Sequence, residues 1–269
     1  MPVLTVALLC TACSGKKTEK TENAVPATFT TDSVAETDSI AVGKSSTRAT
    51  ITMLYPADGP KNLVDSVRMW INNRLGLKDT IIADGAKVAR LALVQQLDSN
   101  KVDLAGMTKD FPDYQTQYVT LWEISPVFET GKVLTYAGSI YTYTGGAHGS
   151  TVSFGSTFRT DNGKALGWDM FRSDSLVAIK NMVKEAIKTQ YFKAGNNFSD
   201  YLLVKENEFP LPQTAPRFVK DGIEFIYQQY EIAPYAAGMP SCVLPYPTLI
   251  PSLIESVVPL VPDSTGQEQ

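Results

Sequence analysis

The chain has one histidine, His148, within Tyr141-Thr-Tyr-Thr-Gly-Gly-Ala-His-Gly149, where glycine and aromatic residues crowd most tightly. A lone imidazole serves as a general base when a carboxylate orients it. Glu231 offers such a carboxylate, set between Tyr230 and Ile232 with Tyr235 four residues on. If the two segments meet in space, His148, Glu231 and Tyr235 would form one polar network. The network could line a groove, or it could be a structural brace that pins one loop to the other. The binding residues expected on the first reading are Tyr141, Tyr143, His148, Tyr230, Glu231 and Tyr235. Tyrosine faces suit sugar rings because each carries an apolar plane and a hydroxyl, although strand tyrosines are also ordinary core or sheet-surface residues.

Catalytic constellations find less support. A metal hydrolase wants two or three His or Cys ligands with a carboxylate, and one histidine rules out a histidine-rich centre. No Asp-rich loop suggests calcium, so no metal and no cofactor is expected. A Ser-His-Asp triad would have to join His148 to Ser150 or Ser153, and no nucleophile-elbow motif supports it. A glycosidase carboxylate pair drawn from Glu231, Asp169 and Asp103 depends on a geometry that spacing does not supply. The glycine-rich loop lacks the lysine of a phosphate-binding loop, which excludes nucleotide binding. No catalytic residue is assigned, and whether the chain is an enzyme stays open. A net charge of -4 and a pI of about 5.2 argue against nucleic acid or an anionic membrane surface as the main partner.

The elements that must position these residues follow from periodicity. Val133 to Thr144 alternates as a strand, with Tyr141 and Tyr143 on one face and Ile140 and Thr142 on the other. Gly145-Gly146 ends it, and Val152, Phe154, Ser156 and Phe158 mark an antiparallel partner, so His148 sits in the connecting loop. Ala49 to Leu54 reads as a short first strand. Pro60 opens a helix with Leu63, Val67, Trp70, Ile71 and Arg74 on one face. A second helix spans about Ala86 to Leu97. Tyr118 to Phe128 alternates with apolar residues on both sides, the pattern of a strand buried on both faces, and Pro126 marks an edge or bulge. Leu176, Ile179, Val183, Ile187 and Tyr191 stripe the longest helix, which Ser173 or Asp174 can cap. Asp221-Gly222 fits a two-residue hairpin turn between Arg217–Lys220 and Ile223–Ile232. Cys242 has no partner for a disulfide and reads as a small buried apolar residue.

Within residues 1–13, Val3 to Ala12 form a short apolar run, and the stretch ends Leu9-Cys-Thr-Ala-Cys13. It resembles a lipobox, which implies a signal peptide and lipidation of Cys13. Ser14-Gly-Lys-Lys17 lacks an acidic surface-export run, so the anchored protein is expected to face the periplasm. Residues 14–48, rich in Thr, Ser, Ala, Lys, Glu and Asp, read as a disordered tether.

Two groups of segments resemble the RsiV-type extracellular domain family. Tyr141 to Gly149 with Asp161-Asn-Gly-Lys-Ala-Leu-Gly-Trp-Asp-Met-Phe171 carries the first half of the likeness. Phe218-Val-Lys-Asp-Gly-Ile-Glu-Phe225, Tyr230-Glu-Ile-Ala-Pro-Tyr-Ala-Ala-Gly238 and Leu244-Pro-Tyr246 carry the second. Thr50 to Gly138 resembles the companion domain found beside it and in PdaC-like deacetylases. In that family, RsiV-like members are anti-sigma factors whose outer domain binds lysozyme. The anti-sigma and deacetylase roles are not expected to carry over. Recognition of a lysozyme-like protein or a cell-wall glycan is what the resemblance implies.

The reading is therefore an α+β protein of two fused subdomains, residues 49–138 and 139–262, each a small antiparallel sheet with packed helices. Its expected role is non-catalytic recognition in the bacterial envelope, through a lipid anchor in the membrane. A hydrolase of peptidoglycan or another envelope polysaccharide, and a purely structural lipoprotein, are the alternatives.

Overall fold

The computed structural model describes residues 28–78, 81–193 and 197–262. The signal-peptide and lipidation expectations at residues 1–13, Cys13 included, lie outside them. Among the described residues no helix is long and apolar enough to cross a membrane.

Thr30–Val42 (β1) and Ser45–Asp58 (β2) pair antiparallel along their length, turning at Gly43. Two helices follow, Lys61–Arg74 (α1) and Gly85–Asp110 (α2). Gln117–Glu129 (β3) then returns parallel to β2. Val133–Tyr143 (β4), Ser150–Arg159 (β5) and the short Ala165–Leu166 (β6) continue antiparallel, so the described strands make one six-stranded sheet in the order β1-β2-β3-β4-β5-β6. Helix α3, Leu176–Ala186, runs into a π-helical turn at Ile187–Tyr191. Arg217–Val219 (β7), Gly222–Ile226 (β8) and Ser241–Pro245 (β9) form a three-stranded antiparallel sheet, followed by the single-turn helix α4, Tyr246–Leu249.

The α+β class is as expected, and several details differ. Residues 30–48 are not a tether. The 13-residue β1 is an edge strand that satisfies its backbone on β2, so it orders although Val34 is the one side chain in it that is fully buried. Ladder hydrogen bonds and the packing of α2 supply what its polar composition lacks. Gly138, placed at a subdomain boundary by the sequence, lies inside β4, and the parallel β2–β3 pairing makes the first sheet mixed. Strand β3 is buried on one face only. Tyr118, Trp122 and Ile124 point to the helices, while Leu121 and Val127 are 38% and 51% exposed. The second layer covers the outer face only toward Phe128, Thr135 and Thr157, beyond the register shift at Pro126.

Helices α1 and α2 cover the inner face. Their Leu63, Val67, Ile71, Val88, Ala92 and Leu97 close a core with Ile51, Met53, Trp122 and Phe154. Asp84 caps α2 by accepting from the Lys87 N–H. The helix outlasts its expected end because Asn100, buried in the stripe, donates to Thr47 Oγ1 at 2.8 Å. A second core joins α3 to the three-stranded sheet and includes Cys242, whose thiol burial pushes up to about 12. The two layers meet on a polar seam. The Thr135 and Thr157 hydroxyls are 2.8 Å apart, and Thr157 Oγ1 accepts from the Phe218 N–H. Arg217 donates to Glu224 Oε2 at 2.7 Å and to the Phe154 carbonyl at 3.2 Å, its stem lying over Gly155.

A second clasp carries a pH prediction. Arg159 forks onto Asp161 and also donates to the Ser256 carbonyl, tying β5 to the C-terminal segment. The Arg159 hydrogen bond holds the Asp161 carboxyl below its ordinary value. A depressed carboxyl contributes stability above its unfolded pKa, near 4, and loses it as pH falls through the folded value. Asp161→Asn should thus melt lower than the parent at pH 7, and the difference should shrink as pH falls below about 4. The difference should stay under about 1 kcal/mol because the pair is solvent-screened. An equal loss at neutral and at acid pH would show that charge is not the cause.

Candidate functional site

The β4–β5 connection, residues 144–149, turns through Gly145 and Gly146, both with φ near +90°, which frees His148 to stand off the sheet end. Tyr141 and Tyr143 support this loop from the outer face of β4. Gly149 lies so close to the Tyr141 ring that a Cβ there would approach it to 2.4 Å. Tyr143 Oη donates to the Gly146 carbonyl at 3.0 Å.

The second loop follows β8. Beyond the reach of β6, the N-terminal half of β5 has an unpaired edge, and two glutamine side chains fill it. Gln228 Oε1 accepts from Ser153 N at 2.9 Å while its Nε2 donates to Ser153 O at 2.8 Å. Gln229 Oε1 accepts from Thr151 N at 2.9 Å. The pair stands in for a neighbouring strand and carries residues 230–237 onto the His148 loop. Sequence reasoning did not single out Gln228 or Gln229; their adjacency at the end of a strand was the available signal.

Three rings result. His148 stacks on Tyr235 with centroids 3.9 Å apart and planes 17° from parallel. Tyr230 lies 5.9 Å from Tyr235 and its hydroxyl is 3.5 Å from His148 Nε2. Nδ1 is 3.0 Å from the Gly149 carbonyl, so the consistent tautomer carries its proton on Nδ1 and accepts at Nε2. His148 is exposed, Tyr230 is 54% exposed and Tyr235 is half-buried. Tyr230 has φ +66, a left-handed conformation that a non-glycine residue holds only when its surroundings impose it. Glu231 supplies that constraint. Its Oε1 accepts from Gln213 N and its Oε2 from Gln228 N, both at 2.7 Å. On the far side, Tyr191 Oη at the end of the π-helical turn donates to Ala237 O at 2.6 Å.

The structure thus brings His148, Tyr230 and Tyr235 into one exposed cluster. Tyr141 and Tyr143 buttress it. Glu231 does not join His148: both its oxygens are committed to backbone N–H groups, so the polar network expected through it is replaced by a ring stack with a carboxylate staple beside it. The chemistry available at His148 is correspondingly limited. A carbonyl and a tyrosine hydroxyl face its nitrogens, Ser150 Oγ donates to Gln229, and the Ser153 backbone is held by Gln228. Asp169 is elsewhere, paired with Lys164 at 3.2 Å. Its burial, which would raise the pKa, is outweighed by Lys164 and the Gly167 N–H, so its carboxyl is held below the ordinary range. Among the described residues no group of three or more His, Cys, Asp or Glu could hold a metal ion.

Comparison with known proteins bears on the fold. Residues 168–247 match a family model described as a protein of unknown function (DUF3298), a span that includes Tyr230, Glu231 and Tyr235 but not His148. No curated protein matches the chain. A crystal structure of a DUF3298 family member from Bacteroides fragilis NCTC 9343 is 21% identical, with a TM-score of 0.75 over 87% of this chain and 96% of that one. A DUF3298 family protein from Pseudomonas aeruginosa PAO1 is 17% identical, with a TM-score of 0.58 over 88% and 98% of the two chains. Over residues 168–247 the chain therefore matches the DUF3298 family, and around that span it takes the fold of these two proteins.

Proposed function

We propose that the chain is a non-catalytic recognition module of the bacterial cell envelope, anchored through a lipidated Cys13, whose His148–Tyr230–Tyr235 cluster binds the sugar rings of a cell-wall glycan. The observation that carries this reading is the cluster itself. Three rings stand at the surface, held by a 3.9 Å stack, a left-handed backbone and a carboxylate staple. Rigid exposed rings offer flat apolar faces with hydroxyls at their rims, which suits the face of a pyranose. Preorganised side chains also lose little freedom on binding. A histidine general base is usually oriented by a carboxylate, and among the described residues neither nitrogen of His148 has one beside it. The likeness to RsiV-type outer domains adds a protein ligand of the lysozyme type as the comparison to run.

Calorimetric titration with soluble muropeptides, and separately with lysozyme, tests the reading. Saturable muropeptide binding is expected, weakened about tenfold, or about 1.4 kcal/mol, in Tyr235→Ala, which removes the central ring of the cluster. Lysozyme binding without muropeptide binding would replace the glycan by a protein ligand. Silence with both would remove the proposal.

A further inference from the structure

A cleft of about 270 Å³ opens between the C-terminal end of α1, the middle of α2 and the inner face of the sheet. Arg74, Gln95, Gln96, Ser99, Trp122 and Ile140 are among the residues that line it. Among the described residues lining the cleft, Arg74 alone carries a charge. Its guanidinium lies over two rings, 5.8 Å from the Trp70 centroid and 5.4 Å from that of Phe154. That contact holds the group in place without using its five N–H donors. No ion pair or hydrogen bond among the described residues engages it. Partial burial lowers its pKa, yet a guanidinium keeps its charge at neutral pH. The facing wall of α2 supplies amides and a hydroxyl, and no carboxylate to compete for the cation. Gln95 packs over Gly76, and Gln96 donates to Asn100, which orients both amides.

We infer that this cleft is a second ligand site, distinct from the His148 cluster, which takes a small organic carboxylate the size of one sugar ring or a dipeptide. The carboxylate pairs with the Arg74 fork, for which a planar bidentate acceptor is the natural complement. The body of the ligand lies along Trp122 and Ile140, and its polar groups meet Gln95, Gln96 and Ser99. A charged fork on an apolar floor with a few convergent amides is the usual make-up of a small-molecule pocket, here just below the usual size range.

The probes are N-acetylmuramic acid and glucuronic acid for a sugar source, N-acetyl-D-alanyl-D-alanine for a peptide source, and uncharged N-acetylglucosamine as control. The chain has three tryptophans, and Trp168 packs in the other core, so indole N–H signals in an NMR titration report the site directly. At least one carboxylate should shift the Trp70 and Trp122 signals saturably and leave Trp168 in place. Arg74→Gln should weaken that binding more than tenfold. Gln95→Glu, which keeps the arginine and offers it an internal carboxylate, should do the same and answers any objection that Arg74→Gln disturbs the fold. Tyr235→Ala should leave it unchanged, which separates this site from the glycan cluster. Equal binding of the uncharged sugar, full binding by either cleft variant, a shift confined to Trp168, or no shift with any carboxylate would overturn the inference.

Discussion

Adding a single methyl group at Gly222 is expected to cost about 3 kcal/mol and to lower the melting temperature by roughly 6–12 °C, as read by circular dichroism. Gly222 follows the β7–β8 turn and lies opposite Pro245 in the β8–β9 ladder. A Cβ there would come 2.1 Å from the Leu244 carbonyl oxygen and 2.8 Å from its carbon. Both atoms are backbone, and their strand, β9, is held by its ladder with β8 and by Cys242 and Leu244 in the core, so nothing nearby can swing away. Asp221→Ala, one residue earlier and exposed, is the control and should stay within about 0.5 kcal/mol of the parent. Equal losses in the two variants would place the effect in the turn rather than in the ladder.

The second large effect is expected at Glu231. Replacing it with alanine leaves the N–H groups of Gln213 and Gln228 without their acceptor and releases the left-handed Tyr230. Hydrogen bonds to a charged group contribute about 1.5–3 kcal/mol each, and solvent can partly replace these, so a net loss of about 2–3 kcal/mol is expected. Binding at the ring cluster should fall as well, because the loop that presents Tyr230 and Tyr235 is no longer held. Glu231→Gln keeps an acceptor and should lose about half as much. A combined His148→Ala and Glu231→Ala variant should show additive stability losses, within about 0.5 kcal/mol, since the two side chains share no contact. Coupling above that level would mean that the staple and the stack act as one unit.

The contrast between these two residues shows what the chain reveals on inspection. Asp221-Gly222 announces a turn one residue late, since the structure turns at Lys220–Asp221 and pairs Gly222 with Val219, while the alternation from Val133 to Phe158 announces the central hairpin, because turn chemistry and period-two patterning are local. Helix α1 is equally plain from Leu63, Val67 and Ile71. The meeting of the His148 and Tyr235 loops could be suspected from residue type, yet its nature could not. A carboxylate beside tyrosines invites a polar network, and only the fold shows that Gln213, distant in sequence, claims one of its oxygens. Gln228 and Gln229 are silent for a related reason: a side-chain amide that completes a sheet edge has no periodic signature. Strand β1 was hidden by composition. Thr, Ser, Ala and Asp make it look unable to fold alone, which is true, and its order comes from β2.

The parallel pairing of β2 with β3 has a consequence in time. The β1–β2 and β4–β5 hairpins join residues close in sequence and can form early, as can α1 and α2. The β2–β3 ladder, from Ser46↔Gln117 to Met53↔Ile124, joins partners roughly 70 residues apart, so its loop-closure entropy must be met before any of its contacts form. Folding of the first sheet is therefore gated at that seam. A nascent chain that has not yet delivered β3 carries β2 with one edge unpaired and Ile51 and Met53 uncapped on that side, a sticky intermediate that exists only until the crossover closes.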